Sequence, residues 1–299
     1  MELAAFQRYS PGHDRYADDN PVLKLDDLPE RFDGDPKLSY MVSTWNRHAQ
    51  LSRSLESLCR QEFREFEVLV NDDGSTQDIK GVVNKFSDFL NIRYFFTPRP
   101  HWVGCPSKAF KKMLPECKGE VIAIGHPEMM FSKEATKYLY YGTDLKCGLP
   151  GVYSNLNTYD YKKSDVSGKS LIWVTLKPLY VDEVKYDQMN AIDWHSDVDN
   201  LRNIPDFMGC LGLSHKGNTY WYVHSRHPWW FVGSAKRECP LWDDMPSFDG
   251  HASIDMWMMH YRGTNGIVDF TPEKFLCYHQ AHQTSAVAPK SDHNRRDNL

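Results

Sequence analysis

No apolar run in this 299-residue chain approaches the ~20 residues that a helix needs to cross a bilayer. Its first residues, Met1-Glu2-Leu3-Ala4, lack the basic-then-apolar plan of a secretory signal. The expectation is a soluble, cytoplasmic protein with no transmembrane segment, peripheral to a membrane if it meets one. Basic charge is scarce as well. Against 40 Asp and Glu stand 35 Lys and Arg, a formal net charge of −5, so no global positive field draws in a polyanion. Nucleic acid is disfavoured as a partner, although a local basic patch is compatible with that charge. The 7 cysteines include no C-x-x-C pair, and their odd number fits buried thiols in a reducing compartment. No Gly-rich loop with a basic residue, of the kind that cradles a triphosphate, precedes Asn71, and no internal repeat is visible.

What is present is ordinary globular composition, 41% apolar and 25% charged. Aromatic residues reach 13%, with 9 Trp, and such rings serve both to fill cores and to face sugars. Residues 1–37 are polar, rich in Asp and Pro and without periodicity, and read as an N-terminal arm. Regular structure starts near Leu38. A strand, Tyr40-Met41-Val42-Ser43, runs into Thr44-Trp45-Asn46-Arg47. Leu51, Leu55, Leu58 and Cys59 then recur at helical spacing, with Ser52, Arg53, Glu56 and Arg60 on the other face. A second strand, Phe66 to Val70, ends on Asn71-Asp72-Asp73-Gly74-Ser75-Thr76. The pattern predicts a helix over 77–89, a strand over 92–96 and a helix over 106–113, with Pro106 suited to the first turn. Val121-Ile122-Ala123-Ile124-Gly125 is the continuous apolar strand of a buried parallel sheet. Strands alternating with helices argue an α/β sheet with ligands at the carboxyl ends of its strands. The stretch 150–225 mixes Tyr, Asp, Lys and Asn with brief apolar runs such as Leu171-Ile172-Trp173-Val174, the last element runs from Phe270 to Tyr278, and a flexible tail follows over 286–299.

Residues 38–145 resemble the nucleotide-binding half of the family 2 glycosyltransferases, which have the GT-A fold. In that family a first strand enters a P-T-Y-N-R-like turn, here Ser43-Thr44-Trp45-Asn46-Arg47. A helix ending S-L-x-x-Q, an F-E-hydrophobic strand and D-D-G-S follow, here Ser57-Leu58-Cys59-Arg60-Gln61, Phe66 to Val70 and Asp72-Asp73-Gly74-Ser75. The next family marker is a G-E strand ending in D-x-D. Gly119-Glu120 is present, but His126-Pro127-Glu128 stands at the D-x-D position. The last marker is an E-D pair opening a helix, then a glycine, then a histidine. Here the stretch is Ile254-Asp255, Gly266 and His279, so Ile254 replaces the first acid. Leu241-Trp242-Asp243-Asp244 stands where the family often has G-F-D-E. The likeness covers about 38–145 and 228–283.

The resemblance implies one GT-A domain over 38–285, with a nucleotide-binding half (38–145) and an acceptor-binding half (146–285): a mixed sheet flanked by helices, with an acceptor-binding insertion. It implies transfer of a sugar from a nucleotide sugar, UDP-sugar before GDP-sugar, to an acceptor hydroxyl with inversion. Asp73 resembles the acid that hydrogen-bonds the base, with Ser43, Thr44, Asn46, Arg47 and Asp72 beside it; the other reading of Asp72 and Asp73 is an Asx turn before Gly74. Glu128 and His279 are the candidate ligands for Mn²⁺ or Mg²⁺, since hard oxygens and an imidazole suit an ion that neutralises a diphosphate. His282 competes with His279, and His126 is a candidate for metal or ribose. Lys108 is within the range of types that meet phosphate as a point charge, with a solvated helix face as the plainer reading. Asp255 is the candidate general base, or else only the acid of a helix first turn. Trp229, Trp230 and Trp242 are candidates for stacking on an acceptor sugar, or core residues.

The acceptor class stays open among a glycan, a lipid-linked sugar, a small molecule and a modified nucleic-acid base. The replaced acids at 126 and 254 keep a second class in view, a degenerate protein that binds nucleotide sugar or glycan without turnover. Release of nucleoside diphosphate in the presence of Mn²⁺ separates the two.

Overall fold

Successive side chains of the first strand, β1 (Leu38–Thr44), enter two different cores. Leu38, Tyr40 and Val42 belong to one buried cluster and Met41 to another. The same alternation recurs in β2 (Phe66–Asp72) and β4 (Val121–Gly125), where Val68, Val70, Val121 and Ala123 face the first core and Leu69, Ile122 and Ile124 the second. Strands apolar on both faces need helices on both sides. α1 (His48–Cys59) and α2 (Ile79–Lys85) supply Leu51, Leu55, Leu58, Ile79, Val82 and Val83 to the first core. α3 (Pro106–Met113) supplies Phe110 and Met113 to the second.

This computed structural model describes residues 25–98, 106–144, 171–176, 178–181, 211–215, 219–224, 232–247, 253–265, 267–272 and 277–280. Most of the arm, most of 146–225, Trp229, Trp230, His282 and the tail from 286 lie outside the described residues. Among the described residues a nine-stranded mixed sheet has the order β3-β2-β1-β4-β10-β6-β11-β9-β8. Its further strands are β3 (Asn91–Phe96), β6 (Ile172–Thr175), β8 (Leu211–His215), β9 (Thr219–His224), β10 (Gly233–Lys236) and β11 (Val268–Pro272). β1 runs parallel to β2 and β4, and β2 parallel to β3, whereas β10 is antiparallel to both β4 and β6. The expected α/β mixed sheet flanked by helices is therefore present. A separate three-stranded sheet, β5 (Met129–Phe131), β12 (Cys277–Gln280) and β7 (Pro178–Val181), adds to it. α4 (Ala135–Tyr141) follows β5, and α5 (Ser253–Thr264) precedes β11.

Three elements differ from the sequence reading. α2 ends at Lys85 instead of reaching Phe89, because Phe86 turns fully into the core and turns at Phe89 and Leu90, whose N–H groups both donate to Phe86 O, bring the chain into β3. β1 and β2 are longer than the apolar runs that revealed them, since buried polar residues (Ser39, Asn71 and Asp72) continue the ladders.

The F-E and G-E markers have a fold role at the opposite end of the strands from the polar loops. Glu67 is fully buried at the start of β2 and accepts hydrogen bonds from Ser39 Oγ (2.7 Å) and Lys118 N (2.6 Å). Arg93 pairs with its other oxygen at 2.8 Å. Gly119 N donates to Ser39 Oγ at 2.8 Å, and a Cβ at Gly119 would stand 2.6 Å from Ser39 N. Only glycine admits this approach of the loop to β1. A charge so buried needs this full set of partners.

Candidate functional site

β1, β2 and β4 end together. Thr44 is opposite Asp72 across the β1–β2 ladder, and Val42 is level with both Val70 and Gly125. The chain leaves β1 toward β2 on one side and returns to β4 on the other. The carboxyl ends of β1 and β4 are thus a topological switch point, where open α/β sheets leave a crevice for a ligand. Three segments border it: 45–47, 73–75 and 126–128.

The first two segments are clasped together. Asn46 has φ 51°, a left-handed conformation that Asn tolerates better than most residues. That turn aims its Oδ1 at Thr76 N (2.8 Å) and Thr76 Oγ1 (3.1 Å), while Asn46 N donates to Ser75 Oγ at 2.9 Å. His48 N, at the start of α1, donates to Gln77 Oε1 at 2.9 Å, so a side chain from the neighbouring loop satisfies a helix-start N–H. Asp72 is 4% exposed and committed on both oxygens: Oδ1 accepts from Ser75 N, three residues on, at 2.8 Å, and Oδ2 from Tyr94 Oη at 2.9 Å. Burial, together with the bond to Asp72, pushes the Tyr94 phenol up to about 12. Gly74, at φ 75°, makes the turn that follows. Asp72 and Asn46 therefore brace the loops, and Asp73 follows at the end of β2, half-buried with its N–H on Thr44 O (2.8 Å). Ser43 is half-buried and Thr44 is 2% exposed beside it.

The third segment turns back at once, with Met129 N donating to His126 O at 3.1 Å, and enters β5. β12 pairs antiparallel with β5, placing His279 opposite Met129. Gln280 N donates to Glu128 O at 2.9 Å. Glu128 and His279, 151 positions apart in sequence, thereby become backbone neighbours. Gln280, fully buried, also ties this strand to α1, its Nε2 donating to Gln50 O at 2.9 Å. Glu128 is not isolated: Arg47 Nε donates to Glu128 Oε1 at 2.8 Å, with side chains 12% and 13% exposed. His279 is buried, at 8% exposure, and His126 is half-buried. Under this loop the Tyr40 ring meets Phe131 edge-on, at 5.6 Å between centroids, and its hydroxyl abuts Gly125. Burial raises that phenol well above its ordinary range.

On the other face, Asp255 occupies the first turn of α5. Its neighbour Ile254, 2% exposed, belongs to the buried cluster that also holds Met41 and Ile124. The far end of α5 is anchored to β11, with Arg262 Nη2 3.1 Å from Asp269 Oδ2 and both side chains almost fully buried. Thr175 Oγ1 donates to Asp269 Oδ1 at 2.7 Å, and the Arg262 guanidinium lies 5.0 Å from the centre of the Trp173 ring.

Trp242 is a core residue and not a sugar platform. It is 4% exposed, its ring centre lies 5.8 Å from that of Trp173, and its Nε1 donates to Lys236 O at 2.9 Å. Lys108 stands exposed on α3. The four described cysteines, Cys59, Cys117, Cys239 and Cys277, are buried free thiols, and burial pushes Cys59 and Cys117 up to about 12. Sequence reasoning passed over Gln77, Tyr94 and Gln280. Gln77 sits one residue before the α2 cap, where an Asx or amide side chain is a signal; nothing local marks the other two.

Among the described residues no three His, Cys, Asp or Glu side chains group closely enough to hold a metal ion by themselves. A carboxylate such as that of Glu128 and an imidazole such as that of His279 are donor types that suit an ion completing its shell with phosphate oxygens and water. No described helix is long and apolar enough to cross a membrane.

Residues 39–126, which hold all three crevice segments up to His126, match the model of the family described as Glycosyl transferase family 2. The chain is 40% identical over 194 residues to a chondroitin synthase of Escherichia coli, covering 60% of this chain and 27% of that protein. It is 46% identical over 63 residues to a validoxylamine A glucosyltransferase of Streptomyces hygroscopicus subsp. jinggangensis, covering 20% of this chain and 15% of that one. The matches thus span well under two thirds of these relatives' own length. A crystal structure of Staphylococcus aureus TarS 1-349 in complex with UDP-GlcNAc superposes with a TM-score of 0.53 at 17% identity, over 84% of this chain and 61% of that one. That likeness shows a shared fold, the GT-A type.

Proposed function

We propose that this relative of the family 2 glycosyl transferases is itself an inverting glycosyltransferase whose donor, a UDP-sugar, lies across the carboxyl ends of β1, β2 and β4. One observation supports the reading: the β5–β12 pairing brings the backbones of His279 and Glu128 together just after β4, while Asp73 follows β2 on the other side of β1. The sugar transferases named among the relatives support the reaction class, and the UDP-GlcNAc bound to a protein of the same fold supports the donor.

Asp73 accepts the N–H of the base, and Ser43 and Thr44 contact base or ribose. Glu128 and His279 are the residues that would hold Mn²⁺ or Mg²⁺, which when bound neutralises the charge that builds on the diphosphate. Asp255 takes the proton of the acceptor hydroxyl as that oxygen bonds to the anomeric carbon. The bond from that carbon to the diphosphate oxygen breaks on the opposite face, the electron pair leaving with the nucleoside diphosphate. The acceptor half lies within 146–285, and buried free thiols at four positions fit a cytoplasmic setting.

Two experiments test this. A thermal-shift panel of nucleoside diphosphates with and without Mn²⁺ identifies base and metal together, because a ligand of the folded state raises its stability by mass action. Asp255→Asn should abolish transfer while leaving donor affinity within a few-fold; transfer at the wild-type rate removes Asp255 from the role of base.

A further inference from the structure

Arg47 and Glu128 form an ion pair for which sugar transfer alone gives no reason. It spans the mouth of the crevice, from the segment after β1 to the segment after β4, with Nε and Oε1 2.8 Å apart. Both side chains are mostly withdrawn from water, at 12% and 13% exposure, so the pair is only weakly screened. Both backbones are pinned. Arg47 lies between Asn46, clasped to Thr76, and His48, bonded to Gln77, and its carbonyl accepts from Leu51 N at 2.8 Å. The Glu128 carbonyl accepts from Gln280 N. With both backbones held, a change at this pair falls to the side chains, and the long Arg47 side chain can turn without moving the loop.

We propose that Arg47 is a positioning residue that keeps Glu128 from a divalent cation until a nucleoside diphosphate arrives, making metal binding contingent on nucleotide. The inference rests on the reading of Glu128 as a metal ligand. A guanidinium on the carboxylate opposes a second cation there. A diphosphate gives the planar fork of Arg47 better acceptors, two oxygens in one plane with more negative charge. Once the guanidinium moves to the diphosphate, Glu128 faces the incoming ion. By linkage, the nucleotide then tightens the metal by the same factor as the metal tightens the nucleotide.

The test is direct titration of Mn²⁺, following free ion by electron paramagnetic resonance, with and without UDP, on wild type, Arg47→Met, Arg47→Lys and Glu128→Gln. Circular dichroism checks the fold of each. Wild type should bind Mn²⁺ about tenfold or more tightly with UDP than without, within the usual range of site-to-site coupling. Arg47→Met should bind Mn²⁺ without UDP about tenfold more tightly than wild type and lose most of the UDP dependence. Arg47→Lys keeps the charge and should stay near wild type without UDP. Unchanged or weaker Mn²⁺ affinity of Arg47→Met without UDP overturns the proposal, as does equal tightening by Lys and Met. Glu128→Gln separates the two levels. If it retains wild-type Mn²⁺ affinity with UDP present, Glu128 is no ligand and the functional reading fails there; if it loses Mn²⁺ while Arg47→Met behaves as wild type, only the gating by Arg47 fails.

Discussion

Replacing Arg262 by Met probes how the helix bearing Asp255 is held. Arg262 follows Asp255 by seven positions, about two helical turns along α5. Its guanidinium is 3.1 Å from Asp269 on β11, which also accepts from Thr175 on β6, and it lies over Trp173. With both side chains only 6% and 7% exposed, solvent screens little of the interaction. Removing one partner of such a pair leaves a buried, uncompensated charge and costs about 3–5 kcal/mol. Protonation of Asp269 limits that loss, because burial already holds its carboxyl above the ordinary value against the pull of Arg262 and Thr175. Urea unfolding of Arg262→Met followed by tryptophan fluorescence, in which the midpoint falls while the slope is kept, reads the cost. The double variant Arg262→Met/Asp269→Asn should recover about 1–3 kcal/mol relative to the sum of the singles, since it leaves no orphaned charge. On turnover, loosening α5 should lower kcat for transfer more than it raises the donor KM. Additive single variants, each under about 1 kcal/mol, would refute the anchoring of α5 by this pair.

Other consequences concern pH and the loops. The folded-state pKa of Asp269 is raised by burial above its ordinary 3.8, so the folded state holds this proton more tightly than the unfolded chain does. Its contribution to stability is therefore largest below the ordinary carboxylate value and declines as pH rises through the raised folded value. Asp269→Asn should remove that decline from the stability–pH curve, and identical slopes in the two proteins would exclude it. Asn46→Ala breaks the clasp and strains a left-handed residue, whereas Asn46→Gly breaks the clasp alone. Both should raise the donor KM, with Ala less stable than Gly by about 1 kcal/mol in the same melt. Gly125→Ala drives a methyl into the Tyr40 hydroxyl, 2.7 Å from ring atom Cζ, and should cost about 1–3 kcal/mol. Tyr40→Phe, which removes a buried hydroxyl without a hydrogen-bond partner among the described residues, should relieve part of that loss in a double-mutant cycle.

The half of the chain around β1, α1, β2 and β4 was legible because local pattern and tertiary burial agree there. Leu51, Leu55 and Leu58 mark a helical face, and the run from Val121 to Gly125 is apolar because both faces of β4 are covered. α2 is shorter than its pattern because Phe86 and Phe89 continue an apolar repeat that in fact serves a turn. Asp72 and Asp73 look alike in sequence, and only the bonds from Ser75 N and Tyr94 Oη mark Asp72 as the brace. What local pattern cannot carry is register between distant segments. The β5–β12 pairing joins residues some 150 positions apart, and the Arg47–Glu128 bond joins residues 81 apart. The stacking role expected of Trp242 failed for a related reason: the hydropathy of a Trp is the same whether its ring meets a sugar or Trp173.

Crystals grown with UDP and Mn²⁺ give the most direct measurement, an anomalous difference map that locates the ion without reference to activity. One peak is expected, within coordination distance of both Glu128 and His279 and of two diphosphate oxygens, with the base against Asp73. A peak elsewhere, or a UDP molecule bound away from the carboxyl ends of β1, β2 and β4, would contradict that expectation.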